Sequence, residues 1–225
     1  MATALPSQDP EVNRAAAESI RKDKEWEAQQ GFIRAWVAHI FHMKTAADPF
    51  RRLIGSGWKP DDRMVNPDNY PVRIEVPAGP ITIEGTRRNA RMVVEYVEGW
   101  LTGRGAKGID SLAGKPGVHP ALMEDLATGR MSVAQIAQRI RHHAKDSTDP
   151  SKVHDFALVK RLLQEEVEDI LKLLPKKDAE TEERYGKAAK IAMRWIRNYT
   201  DLDFRSLGSY THADLDRIAS APDAF

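Results

Sequence analysis

Only one stretch of this chain has the character of a buried β-strand. Phe32-Ile33-Arg34-Ala35-Trp36-Val37-Ala38-His39 is short, rich in β-branched and aromatic residues, and bounded by Gly31. It follows an amphipathic helix, and a helix feeding a buried strand is the repeating unit of an α/β barrel or doubly wound sheet. Neither architecture can be built from one strand. The pattern therefore predicts a mainly α chain and gives a first hint that it is incomplete.

Helix signals dominate elsewhere. Asp9-Pro10-Glu11 combines an N-cap, a first-turn proline and an acid at the positive end of the helix dipole. Val12, Ala15, Ala16, Ile20 and Trp26 then mark a narrow apolar stripe ending near Gly31. Residues 55 to 86 are crowded with glycine and proline, and the short alternating stretches Val72–Val76 and Ile81–Glu84 suggest a small hairpin within an irregular connection.

From Thr86 the helical pattern returns. Thr86 is placed to cap a helix carrying Met92, Val93, Tyr96, Val97, Trp100 and Leu101, closed by Gly103. After a glycine-rich loop, a short helix is expected over Pro120–Thr128, stopped by Gly129, with Ser132 capping the next. Asp149-Pro150 should start the longest helix, whose stripe runs from Val153 to Leu174 and breaks at Pro175. Asp178 opens another, and Thr211 with Asp214 forms a capping box for the last.

Charge and composition narrow the function classes. Lys plus Arg is 34 and Asp plus Glu is 33, so a net charge of +1 gives no global attraction to nucleic acid or anionic membrane. Cysteine is absent, which excludes disulfides, thiolate metal sites and cysteine nucleophiles and fits a cytoplasmic protein. No apolar run approaches a membrane span, and Met1–Gln8 lacks the blocks of a signal peptide.

Several residues could carry chemistry. In Leu122-Met123-Glu124-Asp125-Leu126-Ala127-Thr128-Gly129, two carboxylates lie beside apolar residues just after the glycine loop. Partial desolvation there would make a carboxylate basic enough to act on a carbon acid; equally, both could sit on a solvated helix face. Arg104, Lys107 and Lys115 of the loop could meet an anion, or be a solvated loop. His39 and His42 could share a helical face as metal ligands, but no third ligand is placed. Ser132–Ile140 resembles the first helix of a helix-turn-helix, yet a long polar linker follows where a recognition helix is needed.

Three stretches together resemble malate synthases. They are Leu5–Pro10 with the helix and strand ending Ala35-Trp36-Val37-Ala38-His39; Gly85 through Arg88-Asn89 and Tyr96–Leu101 to Gly103-Arg104-Gly105-Ala106; and Leu122–Thr128. The family typically reads His-Pro where this chain has His39-Ile40, and the segment between Gly105 and Met123 is longer than in its commonest forms. The resemblance implies the terminal fragment of a (β/α)8 TIM barrel over 1–56, an irregular connector over 57–86, and an all-α C-terminal plug domain over 87–225.

It also implies chemistry. Acetyl-CoA and glyoxylate would be joined and the malyl-CoA thioester hydrolysed to malate and CoA, the reaction of the glyoxylate cycle. Asp125 would be the catalytic base, with Met123, Glu124, Gly105 and Ala106 bordering the acyl-CoA. Mg2+ would be held by carboxylates of the missing barrel, on a possible separate chain, leaving this chain inactive alone. No nucleic acid or membrane partner is implied. The alternatives are a malyl-CoA or citramalyl-CoA lyase-like enzyme and a non-catalytic helical interaction module.

Overall fold

The computed structural model describes residues 1–59, 65–69, 71, 74, 76, 78–110, 119–175, 177–205, 207–222 and 225. The chain is mainly α and divides into two compact units, Met1–Ala78 with Ala113–Met123, and Gly79–Leu112 with Glu124–Phe225. No helix among the described residues is long and apolar enough to cross a membrane.

The first unit holds α1 (Pro10–Gln29) and α2 (Met43–Gly55), packed on each other. Asp9 caps α1 through a hydrogen bond from the Glu11 amide, with Pro10 in the first turn. The buried stripe of α1 is Val12, Ala16, Ile20, Lys24 and Ala28, one residue per turn. Ala15 and Trp26, expected inward, are exposed. Lys24 takes the inward place because Asp23 and Glu27 neutralise its ammonium at 2.8 and 2.5 Å.

The buried strand expected over Phe32–His39 is not there. The segment is extended, touches Ala2 in one parallel bridge at Val37, and leaves Trp36 79% exposed, with Phe32 and Ile33 also exposed. A strand is buried only when neighbouring strands and covering layers enclose it, and among the described residues only Ala2 pairs with it. The small core of this unit is Ala2, Ala4, Ala16, Ile20 and Ala46.

The second unit is built around α3 (Ile83–Leu101). Every residue of α3 from Met92 to Gly99 is buried, a pattern that needs helices on several sides. They are α4 (Leu126–Arg141), α5 (Phe156–Leu173) and α6 (Ala179–Thr200), with α7 (His212–Ser220) against α6. Met92, Val93, Tyr96, Val97, Val133, Ile136, Leu163, Ile191 and Trp195 join one continuous core.

Four expected boundaries move. Thr82, not Thr86, caps α3, so the alternating Ile81–Glu84 stretch becomes a cap and a first turn. Most of the other half of the expected hairpin, at 72–76, lies outside the described residues. The helix expected over Pro120–Thr128 is instead a strand, β2 (Leu122–Asp125), which pairs with β1 (Ala106–Ile109).

Asp125 is the N-cap of α4, which runs through both Gly129 and Ser132. The last change is at α5, which starts at Phe156 behind an Asp155 cap. Asp149 heads a tight turn there, accepting from the Ser151 amide and hydroxyl. The caps at Asp178 and Thr211 stand as read.

Candidate active site

Asp125 lies where β2 ends and α4 begins. Its backbone is extended, at φ −125° and ψ −174°, so it can present its side chain to the first amides of the helix. Oδ1 accepts from the Ala127 amide at 2.9 Å and the Thr128 amide at 3.1 Å. In return Thr128 Oγ1 accepts from the Asp125 amide at 2.9 Å. All hydrogen bonds to the carboxylate from described residues fall on Oδ1. No described residue hydrogen-bonds Oδ2.

The helix that Asp125 caps packs on apolar side chains one turn further in. Gly129 lies one turn into α4, and a Cβ there would stand 3.3 Å from Tyr96 Cδ1 and 3.5 Å from Trp195 Cη2. The buried Tyr96 hydroxyl is harder to ionise than usual, from burial first and then from the charge on Asp125. Burial also raises the Glu124 carboxyl; a Thr128 hydrogen bond opposes that shift, and the Asp125 charge adds to it. Two adjacent carboxyl groups therefore differ in environment: one is anchored on helix amides and the other is desolvated.

Other residues singled out in the sequence fall in varied places. The Met123 amide donates to the Thr3 carbonyl at 2.8 Å, so its backbone is engaged. Gly105 and Ala106 are exposed at the start of β1, the strand that pairs with β2. Lys107 points inward instead of waiting for an anion: its ammonium meets Glu95 at 2.5 Å, Glu98 at 2.6 Å and the Tyr185 hydroxyl at 3.1 Å. Arg104 is exposed, and Lys115 lies outside the described residues.

His39 and His42 do not form a metal pair. His39 Nδ1 accepts from the Phe41 amide at 3.2 Å, whereas His42 is buried in the first unit. Among the described residues no three His, Asp or Glu side chains gather to hold a metal ion, so these residues do not fit a magnesium site.

Sequence reasoning missed Thr128 and Gly129. The Asp-x-x-Thr spacing of a cap and its third helical residue was a usable signal for the first. Nothing local marked Gly129 as a packing glycine, because the rings that need the space come from α3 and α6.

Comparison with known proteins follows the same lines. Residues 80–213 match the family described as malate synthase, C-terminal. Malate synthase A of Escherichia coli strain K12 is 30% identical over 214 residues, covering 93% of this chain and 38% of that protein. The glyoxysomal malate synthase of Gossypium hirsutum is 30% identical, covering 94% and 36%. The malate synthase of Streptomyces clavuligerus is 37% identical over 145 residues, covering 62% and 25%. The chain thus spans less than two fifths of the length of these relatives. With more than half of its residues in the matched region, the chain belongs to the malate synthase family, through that family's C-terminal domain.

Proposed function

We propose that this chain supplies the catalytic base of a malate synthase, Asp125, and that acetyl-CoA and glyoxylate are the substrates. The observation that carries the reading is the division of labour within one carboxylate: Oδ1 is fixed on the amides of α4 and Oδ2 is unengaged among the described residues. A base for a carbon acid needs a fixed direction and a free oxygen.

In this reading Oδ2 takes a proton from the acetyl methyl group, and the resulting enolate carbon bonds to the aldehyde carbon of glyoxylate. The alkoxide formed is protonated, and water then cleaves the thioester to give malate and CoA. Glu124, Met123, Gly105 and Ala106 border the acyl-CoA.

Glyoxylate and its magnesium are assigned to the barrel part of such an enzyme, because the described residues here do not fit the ion. The exposed Phe32, Ile33 and Trp36 favour contact with that part, as does a backbone from Ile33 to Ala35 without backbone hydrogen bonds among the described residues. Together they offer an apolar edge that an added strand would cover.

The test mixes the chain with the upstream part of a malate synthase from the same source, plus acetyl-CoA, glyoxylate and magnesium. Free CoA is followed with a thiol reagent, to which this cysteine-free chain adds no background. Activity that disappears in Asp125→Asn supports the reading. A stable complex that releases CoA equally well with Asp125→Asn refutes it.

A further inference from the structure

Away from Asp125, the second unit carries a cavity of about 410 Å³ between the end of α6, the following loop and α7. Arg194 and Asn198 come from α6, Asp203, Arg205 and Tyr210 from the loop, and Arg217 from α7. Arg194, Arg205 and Arg217 thus line one concavity together with Asp203, and Asp214 holds Arg217. We propose that this cavity binds a small, multiply charged anion bearing phosphate or carboxylate groups.

The donors are arranged for this. Arg205 spends Nε and Nη2 on Asp203, at 3.2 and 2.6 Å. Arg217 spends Nη2 on Asp214. A guanidinium has five N–H groups in a planar fork, so each keeps donors beyond its ion pair. The carboxylates hold the two forks in place while leaving those donors for a ligand.

Tyr210 adds a neutral donor with a defined direction. Its hydroxyl accepts from Asn198 Nδ2 at 2.6 Å, so its own proton is free to be donated. Ile218 and Ala221 provide an apolar side to the cavity. A few convergent polar groups against an apolar wall, at this volume, suit a small molecule. Extended nucleic acid is a poor match, because it needs positive charge spread along its backbone and this charge is confined to one cavity.

Calorimetric titration of the whole chain at low ionic strength tests the proposal, with inorganic phosphate and succinate as separate probes. Saturable one-to-one binding of at least one probe is expected, and which one binds assigns the anion class. Arg205→Gln combined with Arg217→Gln should weaken it at least tenfold. Tyr210→Phe, which keeps the ring, should weaken it a few fold, and Arg161→Gln, at an exposed arginine of α5 that does not line the cavity, should change nothing.

Absence of saturable heat with both probes overturns the proposal. So does binding that survives the double substitution. Circular dichroism confirms that each variant is folded, and Tyr210→Phe decides the matter if the double variant is not.

Discussion

Thr128 and Asp125 hold each other reciprocally: the Thr128 amide donates to Asp125 Oδ1 at 3.1 Å, and the Asp125 amide donates to Thr128 Oγ1 at 2.9 Å. This box starts α4 and fixes the carboxylate with the same bonds. Thr128→Val removes the hydroxyl and keeps the shape, and should destabilise the chain by about 1 kcal/mol. Thr128→Ser should cost less than half of that. Urea midpoints give the stability, and CoA release in the reconstituted enzyme gives the catalytic consequence. If Thr128→Val matched the parent in both, the box would have no part in placing Asp125.

Gly129→Ala separates two opposed effects. Alanine in a helix interior gains about 1 kcal/mol over glycine. Here its methyl group would stand 3.3 Å from Tyr96 and 3.5 Å from Trp195, and both rings are almost fully buried. Neither can retreat easily, and overpacking costs about 1–3 kcal/mol. The net result should be destabilisation of about 1 kcal/mol, read from thermal or urea unfolding. A more stable variant would mean that the rings yield.

These two residues also show what the sequence made legible. The caps at Asp9, Asp178 and Thr211 were readable because a cap is a local device. The start of α4 was misplaced by several residues because Gly129 and Ser132 looked like a stop and a cap. The reason α4 passes through both is tertiary: Tyr96 on α3 and Trp195 on α6 occupy the space over Gly129. Phe32–His39 failed in the opposite sense. Its composition is that of a buried strand, but burial depends on neighbours, and those are not among the described residues.

His42 makes the first unit sensitive to acid. The side chain is buried, and burial lowers its proton affinity more than the Leu5 carbonyl raises it; His39 lowers it further. Nε2 has no hydrogen-bond partner among the described residues, so a proton added there would be unsolvated.

Because the folded value lies below the ordinary histidine value, the unfolded chain binds the proton first as pH falls. Stability is therefore complete above about pH 6.5 and is lost as pH drops toward the folded value. His42→Gln should flatten this dependence between pH 5 and 6.5, followed by urea unfolding monitored by circular dichroism. An imidazole that titrates at its ordinary value by NMR would remove the argument.

Lys107 closes a charged cluster inside the second unit. Its ammonium lies between Glu95 and Glu98, while Arg184 holds the other oxygen of Glu98 at 2.8 Å. Gly99 permits the approach, since a Cβ there would sit 3.1 Å from Lys107 Cδ. Burial would raise the Glu98 carboxyl, but the hydrogen bonds from Lys107 and Arg184 outweigh it and the net shift is downward.

Burial and the nearby Glu95 push the Tyr185 hydroxyl up to about 12. Lys107→Met leaves Glu95 buried without its cation and Glu98 with Arg184 alone, and should cost about 3 kcal/mol in urea unfolding. Adding Glu95→Gln removes one orphaned charge and should recover part of the loss. A depressed carboxyl contributes stability above the ordinary glutamate value, and that contribution disappears as pH falls through the folded value. The acid limb of the stability profile should therefore be shallower in Lys107→Met than in the parent. Parallel profiles, with midpoints agreeing within about 0.5 kcal/mol, would reduce the cluster to a solvated ion pair.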